Sequence, residues 1–296
     1  LYEFMSRYVF KKVDMKEEEE DNAPFVHEAM TLDGIQIIVV TFTNCEYNNF
    51  VMDSLVYKVL QIYARMWCSK HYVVVDCTTF YGGNFQKLTT LFFSLIPEQA
   101  SSNCMGCYYF NVNKSFMDQW ASSYTVENPY LVTTIPHCFI NSNTDQSLIK
   151  SLGLSGRSLE VLKDVRVTLH DITLYDKEKK KFCPVSLKIG NKYFQVLHEI
   201  PQLYKVTVSN RTFSIKFNNV YKISNLISVD VSNTTGVSSE FTLSLDNEEK
   251  LVFCSPKYLE IVKMFYYAQL KMEEDFGTDF SNDISFSTSS SAVNAS

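Results

Sequence analysis

Two hydrophobic patterns divide this chain. Up to about residue 140, continuous apolar runs alternate with segments in which apolar residues recur every three or four positions. Such runs are typical of strands buried on both faces of a parallel sheet, and the recurring spacing is typical of amphipathic helices. From Val165 onward, apolar and polar residues alternate with period two. That period predicts strands with one solvated face, and hence antiparallel sheets.

The first pattern is clearest between Tyr72 and Asn111. Tyr72 to Cys77 predicts a buried strand, and the glycine pair Gly82–Gly83 ends it with a turn. Apolar residues at helical spacing follow, and Met105 to Val112 predicts the next strand. A strand–helix–strand unit of this length is typical of a right-handed parallel crossover.

Neighbouring segments extend this α/β pattern. We expect strands at Ile35–Thr41 and at Tyr130–Ile135, with Cys138–Ile140 extending the second. A helix after Asn49 is predicted by an apolar stripe at Met52, Leu55, Val56, Val59, Leu60, Tyr63 and Trp67. The fold class predicted for the first part is therefore α/β with a mainly parallel sheet.

The polar segment 141–157 contains a short amphipathic stretch and two glycines. It has two interpretations, a mobile flap or a connection between domains, and the sequence alone favours the connection. Beyond it, about seven alternating segments precede one helix, which Ser255 and Pro256 open. That order is typical of a pleckstrin-homology-like β-barrel with a C-terminal helix. Residues 275–296 are too polar to bury a core, so we expect a disordered tail.

Composition narrows the functional classes. The 22 Phe and 18 Tyr residues can fill cores or line cavities for apolar ligands. The net charge of −6 and the presence of only five arginines argue against nucleic-acid binding. The sequence contains no run of 18 apolar residues, so it predicts no membrane-spanning helix. Because the chain begins with Leu1, we expect it to be a fragment of a longer protein.

Neither the cysteines nor any sequence motif gives strong evidence for a metal site or for catalysis. The pair Cys104–Met–Gly–Cys107 is similar to a redox or zinc motif, but no second pair or matching histidines follow at ligand spacing. We therefore predict no metal site and no cofactor. The GxSxG, GxxxxGK[ST] and GxGxxG motifs are absent. Asp76 follows a strand where α/β enzymes place catalytic groups, although a turn-bonding aspartate is favoured there. No catalytic residue is predicted.

A basic cluster lies in the first hairpin loop of the β region. Its members are Lys177, Lys179, Lys180 and Lys181, interrupted by Glu178. Lysines act as point charges, so a solvated loop is favoured over a specific headgroup site. Weak binding of these lysines to anionic lipid remains an alternative, because each lysine near such a surface contributes roughly 1 kcal/mol of attraction.

Two groups of strings carry a family resemblance. SLVYKVLQIYARMW followed by YVVVDCTT resembles the CRAL-TRIO lipid-binding domain of the neurofibromin family. In the β region, PVSLKIGNKYFQV, FNNVYKISNLISV and EFTLSLDNEEKLVF resemble the module that follows in the same family. The family comprises neurofibromin and the fungal inhibitory regulators of Ras, which are Ras GTPase-activating proteins. The resemblance covers roughly Tyr2 to Met272.

The resemblance implies two domains and a tail. Residues 1–157 would form a CRAL-TRIO-like domain that binds a glycerophospholipid, and segment 141–157 would include its lid. Residues 158–274 would form a pleckstrin-homology-like domain, and a protruding loop near Leu197–Asn210 would touch the lid. The predicted lipid-binding residues are apolar or aromatic: Leu91, Phe92, Phe93 and Tyr109 in the slot, and Leu148, Ile149 and Leu152 on the lid.

These features predict a non-catalytic regulatory module, located in the cytoplasm and peripheral to membranes. Ras would be contacted through a catalytic domain outside this chain, and the parent protein could form a homodimer. A competing hypothesis is a docking or dimerisation scaffold with no exchangeable lipid. A third is a hydrolase that uses Asp76 or a nearby histidine.

Overall fold

The chain is divided into two compact units in a computed structural model. The structure describes residues 26–41, 62–66, 68–80, 101–123, 134–199, 203–208, 210–217, 219–235 and 238–276. The first unit comprises residues 1–163 and 203–218, and the second comprises 164–202 and 219–296. The predicted second domain, 158–274, therefore contains a stretch that the structure groups with the first unit.

A five-stranded sheet forms the centre of the first unit. Its strands lie in chain order: β1 (Val26–Met30), β2 (Gln36–Thr41), β3 (His71–Asp76), β4 (Cys104–Phe110) and β5 (His137–Ile140). The β1–β2 pair is antiparallel, and the other three pairs are parallel. The mainly parallel sheet is thus confirmed, with one antiparallel edge strand.

Two of these strands differ from the sequence prediction. β1 was not predicted, because VHEAM has no continuous apolar run and only Val26 of its five residues is buried. β5 begins only at His137, whereas the predicted strand began at Tyr130. Residues 134–136 form a turn, and 130–133 lie outside the described residues.

The helices of the first unit are α1 (Lys114–Ser123) and α2 (Gln146–Ser151), and residues 62–66 are also helical. Asn113 starts α1, since its Oδ1 accepts a hydrogen bond from the Phe116 amide at 2.9 Å. The helix buries Phe116, Met117 and Trp120. The helix predicted after Gly82–Gly83 lies outside the described residues.

A two-stranded hairpin, β9 (Leu203–Val208) and β10 (Arg211–Lys216), also belongs to the first unit. Its register pairs Val206 with Phe213 and Tyr204 with Ile215, so these four side chains share one face. That face packs on the apolar core of the first unit, in which Ile215 is 2% exposed.

The second unit is a seven-stranded antiparallel sheet followed by a helix. The sheet order is β11-β8-β7-β6-β14-β13-β12. The strands are β6 (Val167–Asp176), β7 (Lys181–Ile189), β8 (Tyr193–His198), β11 (Asn219–Lys222), β12 (Leu226–Thr235), β13 (Ser238–Leu245) and β14 (Lys250–Ser255). The predicted antiparallel β region is therefore confirmed.

Helix α3 (Tyr258–Phe276) completes the second unit, as predicted. The Ser255 Oγ accepts a hydrogen bond from the Lys257 amide at 3.0 Å, which satisfies one backbone donor at the start of the helix. Phe265 is fully buried and meets Phe194 edge to face at 5.1 Å. The predicted tail, 275–296, lies outside the described residues except for its first two, which belong to α3.

Candidate functional site

An aromatic cluster covers one face of the sheet in the first unit. Tyr109 of β4 stacks on Phe139 of β5, with ring centroids 5.2 Å apart. Trp120 of α1 meets Phe139 edge to face at 5.4 Å. Phe213 of the hairpin meets both Trp120, at 5.4 Å, and Phe139, at 5.7 Å. We call these four residues the aromatic cluster. Sheet, helix and hairpin therefore supply rings to one apolar surface.

Tyr109 is the only predicted slot residue that the structure describes. It is 4% exposed, and its Oη lies 3.3 Å from the His137 Nδ1. Burial raises the pKa of the Tyr109 phenol well above its usual range, so the ring stays neutral. The other predicted slot residues, Leu91, Phe92 and Phe93, lie outside the described residues.

The hairpin face is fixed to α1 by a polar contact as well as by rings. The Tyr204 Oη donates a hydrogen bond to the Asp118 Oδ1 at 2.8 Å. This bond raises the pKa of the Tyr204 phenol. Because the bond is exposed, it orients the hairpin, while the buried rings contribute most of the stabilisation.

The predicted lid contains the short helix α2. Its C-terminal end is a Schellman motif, since the Leu154 amide donates to the Ile149 carbonyl and the Gly153 amide donates to the Lys150 carbonyl. Gly153 has φ +66°, and a Cβ there would lie 2.5 Å from the Met30 carbonyl oxygen. Only glycine both adopts this positive φ readily and leaves room for the Met30 carbonyl. The end of the lid helix therefore lies against the end of β1.

The predicted lid contacts differ in burial. Ile149 and Leu152 are 5% and 4% exposed, and Leu148 is half-buried. Neither Ile149 nor Leu152 belongs to the buried cluster that contains Tyr109 and Trp120. Within the described residues, the structure thus separates the predicted lid contacts from the predicted slot residue.

A polar network follows the carboxyl ends of the parallel strands. The Asp76 carboxylate accepts hydrogen bonds from the Thr78 amide at 3.0 Å and from the Thr41 hydroxyl at 3.2 Å. Asn111, which follows β4, links the segments after β3 and β5, since its Nδ2 donates to the Thr78 Oγ1 and its Oδ1 accepts from the Ser142 amide. Asp76 is fully buried, and burial raises its pKa to about 6. It bonds the turn after its own strand, which is the role that the sequence favoured.

The basic cluster lies at the exposed turn between β6 and β7. The Lys179 Nζ is 3.0 Å from the Asp176 Oδ2. The backbone amide of Lys179 and then its ammonium lower the pKa of Asp176 to about 2. Below the turn, Tyr175 and Phe182 pair across the hairpin at 5.4 Å and are 38% and 37% exposed. Sequence reasoning missed this pair, although two aromatics that flank a basic turn were a readable signal.

Two kinds of feature are absent from the described residues. No group of three or more His, Cys, Asp or Glu side chains is arranged to hold a metal ion in this part of the chain. Among the helices described, none has both the length and the apolar composition that crossing a membrane needs.

Comparisons with known proteins give a specific match for the sequence. The chain is 98% identical over 298 aligned residues to "Inhibitory regulator protein IRA1" of Saccharomyces cerevisiae, covering 100% of this chain and 10% of that protein. It is 49% identical over 281 residues to "Inhibitory regulator protein IRA2" of the same yeast, covering 94% of this chain and 9% of that protein. The chain thus spans about a tenth of the length of these relatives. No protein-family model matches it.

The match among solved structures is weak. One chain of "Structure of the Spt16D Pob3N heterodimer" covers 34% of this chain, and the match covers 48% of that chain, with 13% sequence identity and a TM-score of 0.20. At this level the likeness supports no conclusion about fold or function.

Proposed function

We propose that this chain is a non-catalytic regulatory module of an inhibitory regulator of Ras. The observation that carries the proposal is the 98% identity to a segment of IRA1, supported by 49% identity to a segment of IRA2. The parent protein would accelerate GTP hydrolysis by Ras through a catalytic domain elsewhere. This chain would then modulate that activity or place it in the cell.

The regulatory role is tested in the full-length parent protein. Removal of the segment that corresponds to this chain should leave the intrinsic acceleration of GTP hydrolysis by Ras in solution unchanged. It should alter the acceleration measured with Ras anchored on vesicles. Loss of all acceleration in solution, from a protein that remains folded, would contradict a non-catalytic role.

The module would act by binding a glycerophospholipid in the first unit. Support comes from the resemblance to CRAL-TRIO domains and from the composition of the aromatic cluster, whose rings could cover acyl chains.

The hairpin β9–β10 is the element best suited to move when a lipid enters. It is a two-stranded ribbon whose apolar face, which includes Phe213 and Ile215, packs on the buried core, and the Tyr204–Asp118 bond is its exposed latch. Displacing it would expose Trp120 and Phe139.

This geometry suggests a second gate beside the predicted lid. The lid helix is anchored at Gly153, whereas the hairpin covers the rings themselves. The protruding loop implied by the family resemblance, Leu197–Asn210, overlaps β9 of this hairpin. In the proposal the hairpin therefore governs access to the apolar surface, and the lid helix closes a separate part of the unit.

Lipid binding is tested by mass spectrometry. The protein, purified under native conditions and incubated with phosphatidylethanolamine and phosphatidylglycerol vesicles, should yield a phospholipid after organic extraction. Substitution Phe213→Trp, which enlarges the ring that covers Trp120 and Phe139, should lower the amount recovered, and Thr212→Val on the opposite face is the matched control. Extracts without phospholipid, before and after incubation, would favour the docking-scaffold alternative.

The β6–β7 turn would provide weak contact with anionic membranes. Exposed lysines supply charge, Tyr175 supplies an amphipathic ring suited to a membrane interface, and Phe182 supplies an apolar ring beside it. This proposal is supported by the position of the lysines and the two aromatic rings at the same end of one hairpin. Vesicle co-sedimentation with and without phosphatidylserine tests this contact, and the double substitution Lys180→Ala/Lys181→Ala should reduce the bound fraction.

A further inference from the structure

The sequence pair Cys104–Cys107 becomes a close dithiol in the folded chain. The register of β4 on β3 shifts between Cys104, which pairs with His71, and Gly106, which pairs with Tyr72. This β-bulge makes Met105 the extra residue, so Cys104 and Cys107 point to the same face of the sheet. Their Sγ atoms lie 4.0 Å apart.

The surroundings of the two thiols are unequal. A hydrogen bond between the two thiols, followed by the neighbouring His71, lowers the pKa of Cys104 to about 6 in spite of burial. The same bond raises the pKa of Cys107 well above its usual range. This difference, together with the slightly greater exposure of Cys104, favours Cys104 as the nucleophile and Cys107 as the resolving thiol.

The His71 ring is held in place beside this pair. Its Nδ1 lies 2.9 Å from the Ser69 carbonyl oxygen, and its Nε2 lies 2.9 Å from the Tyr63 Oη. Because a carbonyl oxygen only accepts hydrogen bonds, the Nδ1 donates. His71 is fully buried, so the position of its ring relative to Cys104 is fixed by packing as well as by these bonds.

We propose that Cys104 and Cys107 form a redox-active dithiol that a hydroperoxide converts to a disulfide across the β-bulge of β4. The Cys104 thiolate attacks one peroxide oxygen, the O–O bond breaks, and the product is a sulfenic acid at Cys104 with release of one water. The Cys107 sulfur then displaces the sulfenic hydroxyl as a second water. Two thiols and one hydrogen peroxide give one disulfide and two waters, so the peroxide is reduced as the sulfurs are oxidised.

Formation of the Cys104–Cys107 disulfide must distort the strand, and we expect this strain to make the disulfide easy to reduce. The sulfurs must approach from 4.0 Å to about 2.0 Å. Cys104 and Cys107 are paired with His71 and Val73 of β3, so the approach must tighten the bulge against the parallel ladder. Disulfides formed under strain are easily reduced, as in regulatory pairs. We therefore expect a thiol reductant to restore the dithiol.

Access to the pair is from the amino end of β4. Cys104 is the first residue of the strand and is 7% exposed, whereas Ser102 and Met105 beside it are exposed. Hydrogen peroxide is small enough to reach a sulfur through such a narrow opening. Bulkier thiol reagents should react first with Cys68, which is exposed.

Peptide mapping of the whole chain tests the proposal. The reduced protein is treated with hydrogen peroxide, blocked with iodoacetamide in denaturant and digested. The expected product is a peptide with Cys104 and Cys107 joined, lighter by two hydrogen atoms than the dithiol form and restored by dithiothreitol. If both sulfurs are carbamidomethylated under conditions that oxidise the exposed Cys68, the proposal is wrong.

Two variants assign the roles of the sulfurs. Cys107→Ala removes the resolving thiol, so dimedone should trap a sulfenic acid at Cys104, whereas Cys104→Ala should leave Cys107 without dimedone label. Cys138→Ala, on the neighbouring strand β5, is the matched control and should form the disulfide like the wild type. Equal dimedone labelling at Cys104 and Cys107 would overturn the assignment. If either variant fails to fold, the peptide map of the wild-type protein still shows whether the disulfide forms.

Discussion

Replacement of Asp76 by asparagine should remove a pH-dependent loss of stability. Asp76 is fully buried at the carboxyl end of β3, and its folded-state pKa is about 6 against an ordinary 3.8. The folded protein therefore holds this proton more tightly than the unfolded chain. From this group alone, the free energy of unfolding should fall as pH rises from about 4 to about 6 and then stay level.

The size of the effect follows from the difference between the two pKa values. A pKa of about 6 against 3.8 corresponds to about 3 kcal/mol, at about 1.4 kcal/mol for each pH unit. In Asp76→Asn, the amide oxygen would still accept from the Thr78 amide, and the amide nitrogen would donate to the Thr41 hydroxyl. The variant should therefore gain up to about 3 kcal/mol over the wild type at pH 8 and nothing at pH 4.

Urea unfolding at a series of pH values measures this difference directly. Asp33→Asn, in the turn between β1 and β2, is the matched control because Asp33 is exposed and its carboxylate is solvated in both states. It should keep the pH profile of the wild type. Parallel profiles for the wild type and Asp76→Asn between pH 4 and pH 8 would refute the assignment of a raised pKa to Asp76.

Three other substitutions test the packing of the first unit. Gly153→Ala should destabilise by about 1–3 kcal/mol, because φ is +66° and the new Cβ would meet the Met30 carbonyl; thermal unfolding measures the loss. Trp120→Ala, at a fully buried ring, should cost about 3–5 kcal/mol in urea unfolding. Tyr204→Phe removes the exposed bond to Asp118 and should cost about 0.5–1 kcal/mol, with faster amide exchange in β9 and β10. An unchanged exchange rate there would argue against the latch.

Local patterns were enough to place many of the described elements. The valine run of β3 occurs where the sequence predicted a strand, and β7, β12 and β13 lie in the region after Val165 where the alternation predicted antiparallel strands. The C-terminal helix was also readable, although α3 begins at Tyr258, two residues after the predicted first position, Pro256. β1 escaped prediction because an edge strand with a solvated face needs no apolar run.

The candidate sites depended on partners far apart in the chain. The sequence showed Phe213 in a β pattern but not that its ring meets Trp120 and Phe139. It showed Cys104 and Cys107 three positions apart, a spacing that would place them on opposite faces of a regular strand. The bulge that brings their sulfurs together arises only from pairing with β3.

The sequence by itself therefore determined the change from an α/β to an antiparallel β pattern, many of the individual elements, and the likeness to the inhibitory regulators. Hydrophobic period and string identity are properties of the chain itself. The tertiary structure decided that the hairpin β9–β10 packs within the first unit, that Asp76 is buried without a counter-charge among its hydrogen-bond partners, and that the two thiols touch. Burial and pairing are set by distant segments, and a local pattern is compatible with more than one partner.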